Sequence, residues 1–309
     1  MKKIVSLLLA LLMVLASCAA LAEETAAADA AEKRVFLKGE APDFAEDEVL
    51  LDLYVAKTIG CDTMVMVSAD QVMVIDTATS GQYVELKNLL NSLGIIRVDY
   101  AFNTHPDYDH LGGMADMMKQ YEIGAFLTGF DENFSASHTM QRSVVNTAKS
   151  LNIPITRVAD GDKMTFGNAE LTFVQQTYHK KTTNQLSVMT MVEVGPCRLL
   201  LTGDAENLAQ QYYAANNYDL KADILKYPHH GLSLLDPGFL ELVDPELIFV
   251  THGNMHTEAA QKTMNKAGIP YSFGGWGMIH ISTNGEYWLV EHQLEGKYAS
   301  YPAKYHTAY

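Results

Sequence analysis

The chain has 309 residues, 37 acidic against 22 Lys and Arg, and a formal charge of −15. That balance disfavours sequence-independent binding to nucleic acid, which is driven by Lys and Arg meeting phosphates, so no stable nucleic-acid partner is expected. With 48% hydrophobic residues the length suffices for one large α/β domain. Cys18, Cys61 and Cys197 form no CxxC motif, which argues against a thiolate metal site.

Residues 1–22 read as an export signal, with MKK as the positive n-region and IVSLLLALLMVLA as the apolar h-region. Two cleavage readings stand open. LASC (Leu15 to Cys18) has the form of a bacterial lipobox, after which Cys18 would be lipidated; ALA before Glu23 suits ordinary signal peptidase. The apolar run is short for a retained membrane helix. Loss of Lys2 and Lys3 with the signal takes the charge from −15 to −17. The expected location is outside the cell, secreted or lipid-anchored on the outer face of the bacterial cytoplasmic membrane. Membrane contact would come only through Cys18.

Residues 23–34 are Ala/Glu-rich without an apolar period and read as a linker; residues 35–309 read as one domain. Strand-like runs follow in VLLDLYVA, DTMVMVS and QVMVIDT, then a helix in YVELKNLLNSL stopped by Gly94. RVDYAFNTH is a strand, GMADMMKQY a helix opening at a double glycine, IGAFLTG a strand and SASHTMQRSVVNTAKSL a helix. Two hairpins come next, GDKMTFGNAELTFVQ turning at Gly167-Asn168 and QLSVMTMVEVGPCRLLLTGD turning at Gly195-Pro196. AENLAQQYYAANN is helical. ADILKYPHHG, LIFVTHG, a helix in TEAAQKTMNKAG and GMIHISTNGEYWLV complete the chain. A β-rich stretch followed by an α/β stretch, twice over, fits two sheets between helices.

Metal-capable side chains gather at strand ends: His105, Asp204, His229-His230 and His252. In α/β architectures ligand sites form where strands stop. NTHPDYDHLGG places His105, Asp107, Asp109 and His110 within six positions, followed by Gly112 and Gly113. His105 and Asp107, two apart on an extended loop, can face one ion; Asp109 and His110 can face a second, and Asp204 can bridge both. Such a pair generates hydroxide at neutral pH and clamps attacking and leaving oxygens. Plainer readings exist for each residue taken alone. Asp204 before AENLAQ would make a good helix cap, His229-His230 a solvated loop pair, His179 an exposed loop residue and His252 a loop hydrogen-bonding group. His138 and His280 look structural or exposed, and Trp276 belongs to the core or its rim.

THPDYDHLGG resembles the HxHxDH signature of the metallo-β-lactamase fold, and more closely the HxDxDHxGG form of the metallohydrolase domain in ComEC-type DNA-uptake proteins. The likeness continues in order through GDKMTFGNAELTFV, NQLSVMTMVEV, LLLTGD, DILKYPHHG and GNMHTEAA, with IGCDTMVM a weaker echo. The resemblance implies an αββα four-layer sandwich. It implies His105, Asp107 and Asp204 on one metal, and Asp109, His110, Asp204 and either His229 or His230 on the other. His256 would stand near the substrate and stabilise developing charge, while Asp62 and Asn184 would support ligands from behind. The family's second His is Asp107 here, and its middle His is absent unless His179 supplies it. This oxygen-rich set suits two divalent ions, Zn²⁺ first and Mn²⁺ also.

The implied function is an exported binuclear hydrolase of a phosphodiester, small or polymeric: nucleic acid, nucleotide or a cell-envelope phosphate ester. A metal-bridging hydroxide would act with Asp109, Asp204 and His256 as catalytic groups. The alternatives are hydrolysis of another ester, a lactone or an amide, or a non-catalytic binding protein on the same fold.

Overall fold

The computed structural model describes residues 33–131 and 139–300. The export signal, the Cys18 cleavage site, nearly all of the linker and His138 lie outside the described residues. Alternation of buried and half-buried positions, as in LDLYV, builds strands that face a core on one side and a helix layer on the other.

One nine-stranded sheet contains β1 (Val35–Leu37), β2 (Leu51–Val55), β3 (Met64–Ser68), β4 (Gln71–Ile75), β5 (Arg97–Asn103), β6 (Glu122–Thr128), β7 (Ile155–Arg157), β15 (Gly277–Thr283) and β16 (Trp288–Leu294). Its order is β1-β16-β15-β2-β3-β4-β5-β6-β7. A seven-stranded sheet contains β8 (Lys163–Phe166), β9 (Ala169–Val174), β10 (Met189–Val194), β11 (Cys197–Leu201), β12 (Ile224–Lys226), β13 (Leu247–Val250) and β14 (Tyr271–Phe273), ordered β14 to β8. The helices are α1 (Tyr83–Ser92), α2 (Tyr108–Leu111), α3 (Met114–Gln120), α4 (Thr139–Ser150), α5 (Asn207–Ala215), α6 (Pro237–Val243) and α7 (Glu258–Ala267).

The central core lies between the sheets, where Leu53, Met66, Ile75 and Phe102 meet Phe173, Val192, Leu199 and Phe249. Outside the larger sheet, Val65, Val74 and Phe126 pack with Leu86, Leu90, Met117 and Val144 of the helices. Outside the smaller one, Leu200, Leu225 and Ile248 pack with Tyr213, Phe239 and Met264. The layers therefore run helix, sheet, sheet, helix, the αββα sandwich. Strands β11 to β14 are parallel and covered on both faces, which is why LIFV reads as unbroken apolar sequence.

β1, β7, β14, α2 and α6 have no counterpart in the sequence reading. β7 is exposed along its length and so carries no apolar pattern, and β14 has three residues. The QLSV run opens as a tight 3₁₀ turn at Asn184–Leu186, and the strand starts only at Met189. Gly112 and Gly113 serve close packing: a Cβ on Gly112 would lie 2.7 Å from the Ser80 nitrogen, and one on Gly113 2.6 Å from the Tyr83 ring. Cys61 and Cys197 are both free and buried. The described residues from Arg34 onward form one compact unit.

Candidate metal centre

Strands β4 and β5 of one sheet and β11, β12 and β13 of the other end at one place and pass directly into the polar residues of interest. Asp76 follows β4, His105 follows β5, Asp204 follows β11, His229 and His230 follow β12, and Thr251 follows β13. The loop after β5 turns into α2 with Asp107 at its N-cap position, so Asp109 and His110 ride on the first helical turn.

Four imidazoles converge on one oxygen. Asp204 Oδ2 lies 3.1 Å from His110 Nε2, 3.2 Å from His230 Nε2, 3.8 Å from His105 Nε2 and 3.9 Å from His229 Nε2. Asp109 Oδ2 is 3.3 Å from His230 Nε2, and Asp107 Oδ2 is 3.8 Å from His105 Nε2. His105, His110 and His230 are fully buried and Asp204 nearly so. Asp204 is not a helix cap, because α5 begins at Asn207 behind Glu206.

The outer nitrogens are fixed by other groups. His110 Nδ1 lies 2.7 Å from Asp76 Oδ2, and Asp76 also accepts from Asn103 Nδ2, the Thr104 N–H and the Thr104 hydroxyl. His230 Nδ1 lies 3.1 Å from Asp62 Oδ1 and 3.0 Å from Thr251 Oγ1, whose hydroxyl donates to Asp62 at 2.6 Å. Lys226 Nζ, fully buried, stands 2.6 Å from Asp62 Oδ2 and donates to the Gly203 carbonyl at 2.8 Å. Both Asp62 oxygens are thus engaged, although Asp62, His110, Asp204 and His230 form a group of metal-capable atoms within 4.8 Å of one another. Asp62 is a support for His230 and not itself free to bind an ion.

Holding these groups requires unusual backbone. Asp76, His229 and His230 have φ of 56°, 50° and 52°, the left-handed region that side chains with a Cβ disfavour by about 1–2 kcal/mol each. Such strain concentrates where side-chain placement matters more than local stability.

The donors fit a cation. The Thr104 hydroxyl gives its proton to Asp76, so its oxygen accepts from His105 Nδ1–H at 3.1 Å and leaves the Nε2 lone pair bare. That buried Nε2 and the buried Asp204 Oδ1 have no hydrogen-bond partner. Burial, with His110 beside it, lowers the His105 pKa to about 3, the neutral state a metal requires. Burial also opposes charge on His110 and His230, but Asp204, Asp76 and Asp62 outweigh it and raise both well above 6.5. Asp204 is held well below the usual carboxylate range despite burial, by the same two histidines. Burial opposes charge on Asp109, but His230 and His110 together outweigh it and lower its pKa, whereas burial raises Asp107 and Asp76. A bare imidazole nitrogen, a bare carboxylate oxygen and carboxylates whose negative charge draws protons onto two neighbouring histidines make the residues suited to divalent ions.

The profile of the metallo-beta-lactamase superfamily matches residues 57–252. The chain belongs to this superfamily. Over 181 residues it is 24% identical to ComE operon protein 3 of Bacillus subtilis (strain 168), covering 57% of this chain and 23% of that protein. The chain therefore spans about a quarter of the relative's length, and the match agrees with the ComEC-type likeness of THPDYDHLGG. The metallo-beta-lactamase fold protein YhfI from Bacillus subtilis superposes with a TM-score of 0.51 at 10% identity, over 72% of this chain and 95% of that one. CmlA, a diiron beta-hydroxylase from Streptomyces venezuelae, gives 0.50 at 12% identity, over 75% and 53%. These two show the fold alone.

Within this superfamily scaffold the structure gathers His105, Asp107, Asp109, His110, Asp204, His229 and His230. His230 is buried against Asp109 and Asp204, whereas His229 is a quarter exposed and Asn184 Nδ2 lies 3.5 Å from it. His256 is exposed, its ring 6.4 Å from that of His252, and it makes no contact with the four-histidine cluster among the described residues. His252 turns its Nδ1 to the Gly253 N–H at 2.8 Å. His179 lies in the loop after β9 beside Tyr178, away from the cluster. His280 pairs with Asp52 at 2.6 Å and stacks on Tyr54. Asp76, Lys226 and Thr251 were missed by sequence reasoning. Lys226 left a trace, a lysine ending the apolar run ADILK.

Proposed function

We propose that the chain is an exported, metal-dependent phosphodiesterase holding two divalent ions, Zn²⁺ or Mn²⁺. The observation that carries this reading is the convergence of four Nε2 atoms on Asp204 Oδ2, flanked by Asp107 and Asp109. His105, Asp107, His229 and Asp204 would hold one ion, and Asp109, His110, His230 and Asp204 the other. Ions held there supply a strong nucleophile from water at neutral pH and neutralise the charge of a phosphoryl group.

The residues do the rest. Asp204 faces both halves and orients them together. Asp76 and Asp62 fix the tautomers of His110 and His230, and Lys226 keeps Asp62 ionised in its buried setting. Asp109, one-third exposed, stands at the mouth where it can hold the attacking group and accept its proton. His256, exposed and next to His252, is assigned to the leaving side. The resemblance of THPDYDHLGG to the HxDxDHxGG form of ComEC-type DNA-uptake proteins supports the phosphodiester class over other esters, lactones or amides.

The test is turnover of bis-p-nitrophenyl phosphate by chain loaded with Zn²⁺ or Mn²⁺, beside Asp109→Asn. Turnover that needs metal and falls to background in the variant supports the assignment; equal rates in both sink it. Export belongs to the same reading, supported by MKK and the apolar run after it. A mass measurement at Cys18 decides between lipid attachment and release. Among the described residues no helix is long and apolar enough to cross a membrane.

A further inference from the structure

A polar side chain taken out of water normally finds a partner for each donor and acceptor, because an unmet one is costly. His110 and His230 engage both ring nitrogens, and the bare Nε2 of His105 is aimed at Asp204 Oδ2, 3.8 Å away. His252 fits neither pattern. It is 7% exposed, yet among the described residues its hydrogen bonds are confined to Nδ1 and its Nε2 has none.

Nδ1 decides which tautomer the ring adopts. The Gly253 N–H donates to it at 2.8 Å, while the Gly253 carbonyl stands farther off at 3.2 Å. Nδ1 is thus the acceptor, and the single proton of the neutral ring sits on Nε2. Burial, opposed by the Gly253 backbone and joined by the charges of His230 and His256, lowers the pKa of the ring. His252 therefore holds one uncharged N–H donor in a fixed orientation, with nothing to receive it.

The donor stands beside the metal centre. Thr251, the preceding residue, has its Oγ1 3.0 Å from His230 Nδ1 and donates to Asp62 at 2.6 Å. The Nε2 edge of the His252 ring lies against Gly60, where a Cβ would come within 3.3 Å of Cδ2 and 3.4 Å of Nε2. Gly60 has φ of 62° and is half-buried, so this edge lies under a surface loop and not in the core. The Gly60 N–H donates to the Thr251 carbonyl at 3.1 Å, and two residues on the Asp62 N–H donates to the Asp109 carbonyl at 3.2 Å. One short loop thus joins the His252 ring to Asp109, whose carboxylate meets His230 at 3.3 Å.

We propose that His252 is a substrate-binding residue whose Nε2–H donates to a non-bridging oxygen of the phosphoryl group held at the metal centre. The inference rests on the phosphodiesterase reading and adds a second histidine to its substrate side. The resemblance gives that side to His256 alone, which is exposed; His252 is nearly buried and its ring is set before any ligand arrives. An uncharged donor transfers no proton. It stabilises the charge that gathers on the oxygen during attack, and being preorganised it costs no reorientation then.

The test uses the intact, Zn²⁺-loaded chain and two readouts. One is NMR of the ring nitrogens in chain carrying isotope-labelled histidine, with His252→Gln identifying the resonances. His252 should show the Nε2–H tautomer, and that signal should shift as inorganic phosphate is added. The other is phosphate affinity beside kcat/KM for bis-p-nitrophenyl phosphate. His252→Ala is expected to weaken phosphate binding about 10–100-fold and to lower kcat/KM about 100–1,000-fold, with metal content and urea midpoint retained. His252→Gln, whose amide reaches toward the Nε2 position, should recover most of both. An Nδ1–H tautomer, or an Nε2 signal indifferent to phosphate, overturns the assignment whatever the variants do, even if His252→Ala fails to fold. Wild-type phosphate affinity and turnover in His252→Ala overturn it too, and the phosphodiesterase reading then stands. If the wild type cleaves no diester, that reading fails, while a phosphate-dependent shift at Nε2 would still support an anion-binding donor.

Discussion

His110 and His230 each meet a buried carboxylate on the nitrogen turned away from Asp204, at 2.7 and 3.1 Å. His105 meets a threonine hydroxyl at 3.1 Å instead, and the Glu206 carboxylate stays 3.9 Å from His229 Nδ1. The first pair is buried; of the second, His229 is a quarter exposed, and Asp107 beside it about a third. A carboxylate behind a ligating imidazole fixes its tautomer and raises its basicity. The half formed by Asp109, His110 and His230 should therefore bind metal more tightly and fill first. The half at His105, Asp107 and His229 should exchange its ion more readily, and it is also the half tied to the Tyr178 loop through Thr183.

The largest effect should come from breaking the deep support. Lys226 and Asp62 are an ion pair with no solvent exposure on either side. Removing one partner of a buried pair leaves an uncompensated charge and costs about 3–5 kcal/mol. Lys226→Met is expected to lower metal-free stability by that order in urea unfolding, and adding Asp62→Asn should recover part of it. A midpoint unchanged by Lys226→Met would show that the pair does not hold this half together.

A smaller effect separates the halves directly. Asp76→Asn should weaken the tighter metal step by about 10–100-fold, the usual consequence of losing the group behind a histidine ligand. Thr183→Val removes one hydroxyl from a partly exposed Asp107 and should weaken the looser step by at most about tenfold. Titration of metal-free chain with Zn²⁺ or Mn²⁺ reads both. Equal losses, or a larger one in Thr183→Val, would reverse the ordering of the two halves.

The cluster of metal-capable side chains was legible because four of its members fall within six residues and the others stand at the ends of apolar runs. Of its buried supports only Asp62 was foreseen, through the family resemblance. Asp76 and Lys226 arrive singly at the ends of two strands in different sheets, and nothing local marks them as neighbours. Asp76 ends a run of five strand residues much as any polar residue would. The sandwich was legible from the alternation of its strands, yet α6 was read past although Asp236-Pro237 is a strong start: Asp236 accepts from two N–H groups and proline stands at the first position. The left-handed backbone at His229 and His230 has no signature in PHHG beyond its glycine, so which of the two histidines is buried needed coordinates.

The gentlest test is pH, and it sets the two states of the tight half against each other. In the metal-free chain His110 and His230 have pKa values raised well above 6.5, with Asp204, Asp76 and Asp62 favouring the charged form over burial. A group whose folded pKa is raised stabilises fully below its unfolded value and loses that contribution as pH climbs through the folded value. Metal-free stability should therefore fall as pH rises from about 6.5. On the acid side the signs are mixed. His105, lowered to about 3, and Asp204, lowered well below its ordinary value, make acid destabilising, while the raised Asp76 and Asp107 act the other way. The alkaline limb is the cleaner readout. Metal must displace the protons on His110 and His230, so affinity should rise over the same range in which metal-free stability falls. Urea midpoints at pH 6.5, 7.5 and 8.5, with chelator and with saturating Mn²⁺, should diverge as pH rises. Parallel curves would mean that the two histidines do not carry the protons that the metal replaces.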